Sequence, residues 1–277
     1  MTNHLRVACI QTSATPDMTA TIEAACAAIR KAAQDEVRLV LLPENAPLMA
    51  GAGETREQAG KSGAHPARAA FGEVARESGV WLLVGSVSER KGGKLANRSL
   101  LFDDAGEIVA EYDKIHMFDV NLGAESYRES DNFAHGERAV LAETPWGGLG
   151  ITVCYDLRFP ALYRALAQAG AGMLAIPSAF TVPTGRAHWH VLLRARAIET
   201  GCFVFAPAQC GTHYGSRRTY GHSLIVAPWG EVLAEGGETP GVIVADINLG
   251  AVAEARDKVP SLRHDRPFAL PARLAVE

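Results

Sequence analysis

Short apolar runs alternate along this chain with longer, alanine-rich amphipathic segments, and this alternation restricts its fold more than any other feature. A short apolar run suits a buried strand, whereas a longer amphipathic segment suits a helix packed on a sheet. The pattern therefore predicts an α/β protein. In the first half we expect strands near 6–11, 38–43, 81–87, 97–102 and 108–112, and helices near 19–34 and 65–78.

The same order of elements returns in the second half. Strands are expected near 149–154, 172–176, 202–208, 221–226, 231–235 and 241–246, and helices near 160–169 and 187–200. We interpret 1–277 as one domain of two pseudo-duplicated halves, about 1–135 and 136–260, with a C-terminal tail. An ungapped match supports duplication, because Asn97–Glu111 shares six of 15 positions with Gly221–Glu235. Each window has a turn ending in glycine between apolar strands, which predicts a β-hairpin.

Helices on one face of each sheet leave the opposite face of that sheet apolar and bare. Packing the two bare faces together buries both, so we predict a four-layer α-β-β-α sandwich of two packed mixed sheets. The runs Leu39–Leu42 and Gly172–Ile176 are apolar at nearly every position. Such runs are typical of strands that are covered on both faces.

Charge balance and cysteine spacing argue against several classes of protein. The net charge of −4 leaves no basic excess for a phosphate backbone, so we expect no nucleic-acid partner. No stretch reaches the roughly 18 apolar residues of a membrane span, and Met1–Val7 leads into a strand without a signal-peptide core. We therefore expect a cytoplasmic protein without a membrane partner. The five scattered cysteines contain no Cys-x-x-Cys pair and predict neither a disulfide framework nor a zinc site.

Reactive side chains stand where three of the predicted strands end. Glu44 follows the second strand, Lys114 follows the fifth, and Cys154 precedes a helix that Pro160 can start. Taken singly, these residues are better explained as a loop acid or helix cap, a surface charge and a buried thiol. Reactive groups of α/β proteins collect at strand ends, however, and a helix N-terminus with nearby cations favours a thiolate. Their joint occurrence predicts a site with a cysteine nucleophile.

These motifs resemble the nitrilase, or carbon-nitrogen hydrolase, superfamily. Its pattern is a glutamate, a lysine and a cysteine in that order, each at a strand exit. The matching segments are Pro43-Glu44, Asp113-Lys114-Ile115-His116 and Cys154-Tyr155-Asp156-Leu157-Arg158-Phe159-Pro160. The resemblance extends from Arg6 to the tail after Pro260, and it implies the same four-layer sandwich.

The family has a second glutamate between the lysine and the cysteine. Glu129 matches it best, because the following Ser130 also fits the pattern. The segment from Val120 to Ala124 is about one residue shorter than the family usually has, so Glu125 remains an alternative.

The resemblance implies that the chain is an amidohydrolase that works through a thioester and needs no metal or organic cofactor. Cys154 would attack the amide carbonyl, and Glu44 would carry the proton. Lys114 and the backbone N–H of Tyr155 would bind the oxyanion, while Glu129 would orient Lys114.

Two stretches, Phe180–Thr200 and Ala208–Ser223, resemble the branch that removes ammonia from small 2-oxo acid amides. Within it they favour deaminated glutathione amidases, and the alternative is an ω-amidase acting on 2-oxoglutaramate. Another branch, such as a carbamoyl hydrolase or a nitrilase, is a further alternative. An inactive scaffold or binding protein is the non-enzymatic one.

The substrate of this branch is a small anionic amide, so a cation should bind its carboxylate. Arg158 is our candidate, because a planar guanidinium suits a carboxylate, although a structural ion pair explains it equally well. Phe180 and Thr181 are expected to line the pocket.

His188 and His190 stand two apart in a predicted helix and face different sides, so we predict no metal site there. The family usually forms homodimers, or higher homo-oligomers, through the helices after Cys154 and near 187–200.

Overall fold

The computed structural model describes residues 3–123 and 126–269. The strands are β1 (His4–Gln11), β2 (Leu39–Leu41), β3 (Gly60–Lys61), β4 (Trp81–Lys91), β5 (Lys94–Phe102), β6 (Ile108–Asp113), β7 (Asp119–Asn121), β8 (Ser126–Arg128), β9 (Val140–Thr144), β10 (Gly147–Ile151), β11 (Ala171–Ala175), β12 (Phe203–Ala206), β13 (Cys210–Thr212), β14 (Arg218–Tyr220), β15 (Leu224–Val226), β16 (Val232–Glu235) and β17 (Gly241–Asn248). The α-helices are α1 (Met18–Ala33), α2 (Ala52–Gln58), α3 (Pro66–Ser78), α4 (Pro160–Gln168), α5 (Val182–Thr200) and α6 (Gly250–Lys258). Short 3₁₀ turns are η1 (Glu129–Asp131), η2 (Cys154–Arg158) and η3 (Ser261–Arg263).

Two large sheets form the middle of the molecule. The first has the strand order β17-β1-β2-β4-β5-β6, with β3 also paired to β4, and the second has the order β16-β15-β12-β11-β10-β9. Strands β1, β2 and β4 run parallel, and so do β10, β11 and β12. The outer strands of each sheet are antiparallel to their neighbours. Both sheets are therefore mixed, as predicted.

The side chains of β1 alternate between two hydrophobic layers. Val7 and Cys9 pack in the cluster that also contains Leu149 of the second sheet. Ala8 and Ile10 pack in a separate cluster with side chains of α1 and α3. Successive side chains of a strand point to opposite faces, so the first sheet lies between its helices and the second sheet. Helices α4 and α5 cover the outer face of the second sheet, and the predicted α-β-β-α sandwich is confirmed.

The observed elements differ from the predicted ones in a few places. The strand expected at 149–154 ends at Ile151, and Cys154 begins η2 instead. Strand β17 lies in the first sheet, antiparallel to β1, although it follows the strands of the second sheet in sequence. Hairpins β5–β6 and β15–β16 stand where the two matching windows predict them. Within the described residues, no helix combines the length and apolarity that crossing a bilayer requires.

A close backbone contact positions the segment that carries Glu44. The Leu42 N–H donates to the Leu83 carbonyl at 2.8 Å, so the chain stays beside β4 after β2 ends. A Cβ on Gly85 of β4 would lie 2.3 Å from the carbonyl oxygens of both Leu42 and Pro43. Glycine at this position therefore allows Pro43, and Glu44 after it, to approach β4.

We expect Gly85→Ala to lower the free energy of unfolding by about 1–3 kcal/mol, because the added methyl group must displace backbone. Turnover should fall as well, since the displaced segment carries Glu44. Urea denaturation followed by intrinsic fluorescence measures the free energy of unfolding. Gly172→Ala in β11 is the matched control, because its Cβ would meet no atom closer than 3.8 Å. Equal losses in both variants would contradict this account.

Candidate active site

A buried ammonium group at the end of a first-sheet strand joins two carboxylates. Lys114, only 2% exposed, directly follows β6 and donates to Glu44 Oε1 at 2.9 Å. It also donates to both Glu129 oxygens, at 3.0 and 2.8 Å. Glu44 is buried as well, with 4% of its surface exposed. The structure thus brings together two side chains separated by 70 residues in sequence.

Each glutamate is held further by amide donors. The Asn97 side-chain amide of β5 donates to Glu44 Oε1 at 2.9 Å and to Glu129 Oε1 at 3.1 Å. The Ala179 N–H donates to the other Glu44 oxygen at 3.0 Å, and the Phe118 N–H donates to Glu129 Oε2 at 2.6 Å. Both carboxylates are therefore fixed in position before any substrate binds.

Two points about these residues go beyond the prediction from the sequence. Asn97 was missed there, and its one signal was a buried polar residue inside an apolar strand. Its carbonyl oxygen Oδ1 is buried without a hydrogen-bond partner among the described residues. Glu129 is the acidic residue that contacts Lys114, whereas Glu125 lies outside the described residues.

Cys154 stands in a sharp turn after β10. Its φ of +49° lies in the left-handed region, which is uncommon for a residue with a side chain and typical of functional sites. The Cys154 N–H donates to the Pro177 carbonyl at 2.9 Å. The next N–H, that of Tyr155, has no acceptor among the described residues. A donor is thus free beside the sulfur, where an oxyanion would form.

A buried carboxylate fastens this turn to the segment that carries Lys114. Asp156 accepts from the Val153 N–H at 2.9 Å and from the Tyr112 hydroxyl at 2.7 Å. It also accepts from the His116 N–H at 3.0 Å. These bonds connect η2 of the second half with the end of β6 in the first half. They fix the distance between the thiol and the ammonium.

The electrostatics of the site favour a neutral thiol beside a charged acid and a charged amine. Burial and the neighbouring Glu44 charge raise the pKa of the Cys154 thiol well above its usual value, and Lys114 offsets this only in part. Burial opposes ionisation of Glu44, but the Lys114 ammonium lowers the pKa of that carboxyl overall. Burial also opposes the Lys114 charge, yet Glu129 and Glu44 hold its pKa well above normal. Glu44 is therefore charged and able to accept the thiol proton.

The predicted help from a helix terminus is absent at the thiol. Helix α4 begins only at Pro160, beyond η2, so its first turn does not adjoin Cys154. The helix dipole acts mainly within its first turn. Burial and the Glu44 charge consequently dominate the pKa of the thiol.

A cavity of about 330 Å³ opens onto these groups. Glu44, Lys114, Glu129 and Cys154 all contribute to its wall. Its other lining residues are both apolar and polar. The apolar ones include Leu48, Met49, Phe118, Phe133 and Phe180, and the polar ones include Tyr127, Arg128, Asn132, Thr184, Tyr214 and Arg217.

Of the predicted pocket residues, Tyr155 and Phe180 line the cavity, whereas Thr181 and Arg158 do not. Thr181 is buried at the start of α5, where its hydroxyl bonds that of Thr184 at 2.8 Å. The Arg158 guanidinium lies 5.7 Å from the Tyr155 ring centre and 5.6 Å from that of Phe180. The Arg158 guanidinium thus lies beside two residues of the cavity wall without lining the cavity itself. Its binding of a substrate carboxylate stays a prediction.

We expect the Cys154 thiol to stay protonated at neutral pH, because burial and the Glu44 charge hold its pKa well above the usual value of a thiol. Thiolate absorbance in the far ultraviolet, taken as the difference between wild type and Cys154→Ser, should then be absent at neutral pH. Glu44→Gln removes the repelling charge and should move the thiolate signal to lower pH. A wild-type thiolate signal at pH 7 would contradict this description of the site.

Comparison with known proteins identifies the family. The family model described as carbon-nitrogen hydrolase matches residues 6–257. A protein from Yersinia enterocolitica, described as deaminated glutathione amidase, is 44% identical over 235 residues, which cover 83% of this chain and 82% of that protein.

Two solved structures are similar to this fold. The NitFhit protein of C. elegans has a TM-score of 0.87 and 34% identity, and the match covers 95% of this chain and 65% of that longer one. An amidase variant from Nesterenkonia sp. AN1 has a TM-score of 0.81 and 26% identity over 95% of this chain and 94% of its own. That structure shows covalent addition of the acetamide moiety of fluoroacetamide at the active-site cysteine. The present chain belongs to the carbon-nitrogen hydrolase family and is a hydrolase of carbon-nitrogen bonds other than peptide bonds.

Proposed function

We propose that this hydrolase is a cysteine-dependent amidase that releases ammonia from the terminal amide of a small 2-oxo acid, and that its substrate is deaminated glutathione. The observation that carries the proposal is the ion pair between Lys114 and Glu44, at 2.9 Å from Nζ to Oε1. Both residues line the same cavity as Cys154. A nucleophile, a base and an oxyanion donor then border one cavity.

In the first step, the Cys154 sulfur bonds to the amide carbonyl carbon while Glu44 takes the thiol proton. Negative charge moves to the carbonyl oxygen, and Lys114 with the Tyr155 N–H binds it. Removal of one such donor typically raises the activation barrier by roughly 3–4 kcal/mol. The carbon-nitrogen bond breaks when Glu44 returns its proton to the nitrogen, which leaves as ammonia. A thioester on Cys154 remains.

In the second step, water replaces ammonia at the same position. Glu44 takes a proton from the water, whose oxygen bonds to the thioester carbon, and Lys114 again binds the oxyanion. The carbon-sulfur bond then breaks, the proton returns to sulfur, and the carboxylic acid leaves. General acid-base help of this kind is worth about 10² to 10⁴ in rate. Glu129 accepts hydrogen bonds from Lys114 with both of its oxygens and acts as a positioning residue.

We assign recognition of the substrate carboxylate to Arg217 instead of Arg158. Arg217 lines the cavity, and its guanidinium donates to the Tyr127 hydroxyl at 2.9 Å and to the Ala179 carbonyl at 3.0 Å. Its charge also lies 5.0 Å from the Tyr127 ring centre. A guanidinium held in this way is oriented before it meets an anion, which lowers the entropy lost on binding. Arg128 adds a second positive charge to the same wall.

The choice of deaminated glutathione rests on the Yersinia enterocolitica relative that carries this activity in its description, at 44% identity. The apolar and aromatic part of the cavity suits the extended body of such a substrate. The Arg217 and Arg128 side chains that line the cavity suit the substrate carboxylate, while the amide end of the substrate meets Cys154.

We also propose that the protein is a cytoplasmic homodimer whose contact includes the outer face of α5. Val191 and Ile198 of this helix are 69% and 55% exposed, and Trp229, which lines a surface cavity together with Ile198, is 54% exposed. Exposed large apolar side chains of this kind are typical of a subunit contact. Sedimentation velocity giving only a species near 29.5 kDa would contradict it.

We expect ammonia release from deaminated glutathione to exceed that from 2-oxoglutaramate, N-carbamoyl amino acids and simple nitriles.

Cys154→Ala should abolish release without loss of the folded state, because it removes only the nucleophile. In a variant slowed in deacylation, intact-mass spectrometry should find the acyl group on Cys154. Turnover of nitriles alone would reject the amide assignment, and retained activity in Cys154→Ala would reject the thioester.

We expect Arg217→Met to raise the KM for deaminated glutathione by about 10- to 100-fold, because the variant loses a hydrogen bond between two charged groups. The same variant should keep its kcat/KM for an uncharged primary amide, since that substrate has no carboxylate. Arg158→Met is the matched control and should change the KM less. The reverse order of the two variants would return the assignment to Arg158.

A further inference from the structure

Three potential metal ligands meet on the outer side of the second sheet, away from the amidase groups. His190 lies on α5, His222 lies in the turn between β14 and β15, and Glu235 ends β16. One ligand atom of each residue lies within 4.8 Å of the other two. Glu235 Oε1 is 3.0 Å from His190 Nε2 and 2.9 Å from His222 Nδ1. His188, the neighbouring histidine on α5, faces Arg158 instead.

These distances match a coordinated cation as well as a pair of hydrogen bonds. Zinc binds imidazole nitrogen at about 2.0–2.1 Å and carboxylate oxygen at about 2.0–2.2 Å. Two such ligands subtending about 95° at the ion are about 3.0 Å apart, given these bond lengths. An ion bound to the Glu235 oxygen and to both nitrogens would therefore take the place of the protons in the two hydrogen bonds.

The backbone holds His222 in place without any ligand. Its φ of +55° lies in the left-handed region, which a residue with a side chain adopts only when its surroundings impose it. The His222 N–H donates to the Gly237 carbonyl at 3.0 Å, and its carbonyl accepts from the Trp189 indole at 2.7 Å. The His222 ring also stacks on Tyr220, with 4.3 Å between the ring centres. The imidazole is thus oriented in advance toward the other two ligands.

The exposure of the cluster also suits a cation. Side-chain exposures of 33% for His190, 21% for His222 and 41% for Glu235 leave an entry path. They also leave room for water to complete the coordination.

We propose that His190, His222 and Glu235 bind a divalent transition-metal ion, with Zn²⁺ as the leading species. Two imidazoles and one carboxylate select zinc, nickel or copper over magnesium and calcium, which prefer oxygen ligands. The site lies behind the cavity wall, because Trp189 contacts both His222 and the cavity residue Phe180, at 4.8 Å between ring centres. It holds a structural ion and takes no part in amide chemistry.

Titration calorimetry with zinc chloride tests the proposal on the full chain, purified with chelator and free of any histidine tag. A Cys154→Ala background removes the catalytic thiol as a competing ligand. We expect one ion per chain, and at least about a tenfold loss of affinity in each of His190→Ala, His222→Asn and Glu235→Gln. Asparagine is chosen at position 222 because it tolerates the left-handed backbone.

His188→Ala is the matched control, since it removes a histidine of the same helix that stands outside the cluster, and it should bind zinc like the parent. Circular dichroism checks that every variant is folded. The proposal fails if the parent shows no saturable binding. It fails equally if the three cluster variants bind as tightly as the parent, or if His188→Ala weakens binding as much as they do.

Discussion

The ammonium of Lys114, enclosed by two carboxylates, is the interaction on which the active site depends. A single buried charge is costly, and breaking a buried pair typically costs about 3–5 kcal/mol because it leaves one charge unmatched. Lys114 can stay charged at 2% exposure only because Glu44 and Glu129 both contact it. The same ammonium keeps Glu44 ionised beside a neutral thiol. The proposed proton transfer, the proposed binding of the oxyanion and the burial of these charges therefore all depend on the contacts of Lys114 with Glu44 and Glu129.

The fold supplies these contacts by placing strand ends from both sheets at one edge. The first sheet contributes Glu44 and Lys114, and the turn after β10 in the second contributes Cys154. The apolar layer between the sheets brings the two edges together, and Asp156 connects them through Tyr112. The site is thus a property of the packed sandwich, since neither sheet carries all of its reactive groups.

The layers and most of the helices could be predicted from the sequence, because apolar periodicity reports burial directly. The order of Glu44, Lys114 and Cys154 likewise identified strand ends, where the chemistry of α/β proteins collects. Periodicity does not report the direction of a side chain in an irregular turn, so it could not indicate that Arg217 lines the cavity whereas Arg158 does not. Asn97 gave only the weak signal of a polar residue in a strand. The convergence of His190 with Glu235 depends on how α5 lies on the sheet, which no local pattern contains.

The pairing of β17 with β1 has a consequence for biosynthesis. His4 and Asn248 are partners in this ladder, so a ribosome must translate nearly the whole described chain before the first sheet is complete. Until then, β1 has an unsatisfied edge of backbone amides and carbonyls, which attracts other extended chains. Closure of so long a loop is slow compared with local helix formation. The amino-terminal edge of this sheet therefore stays open until β17, which pairs with it, has been synthesised.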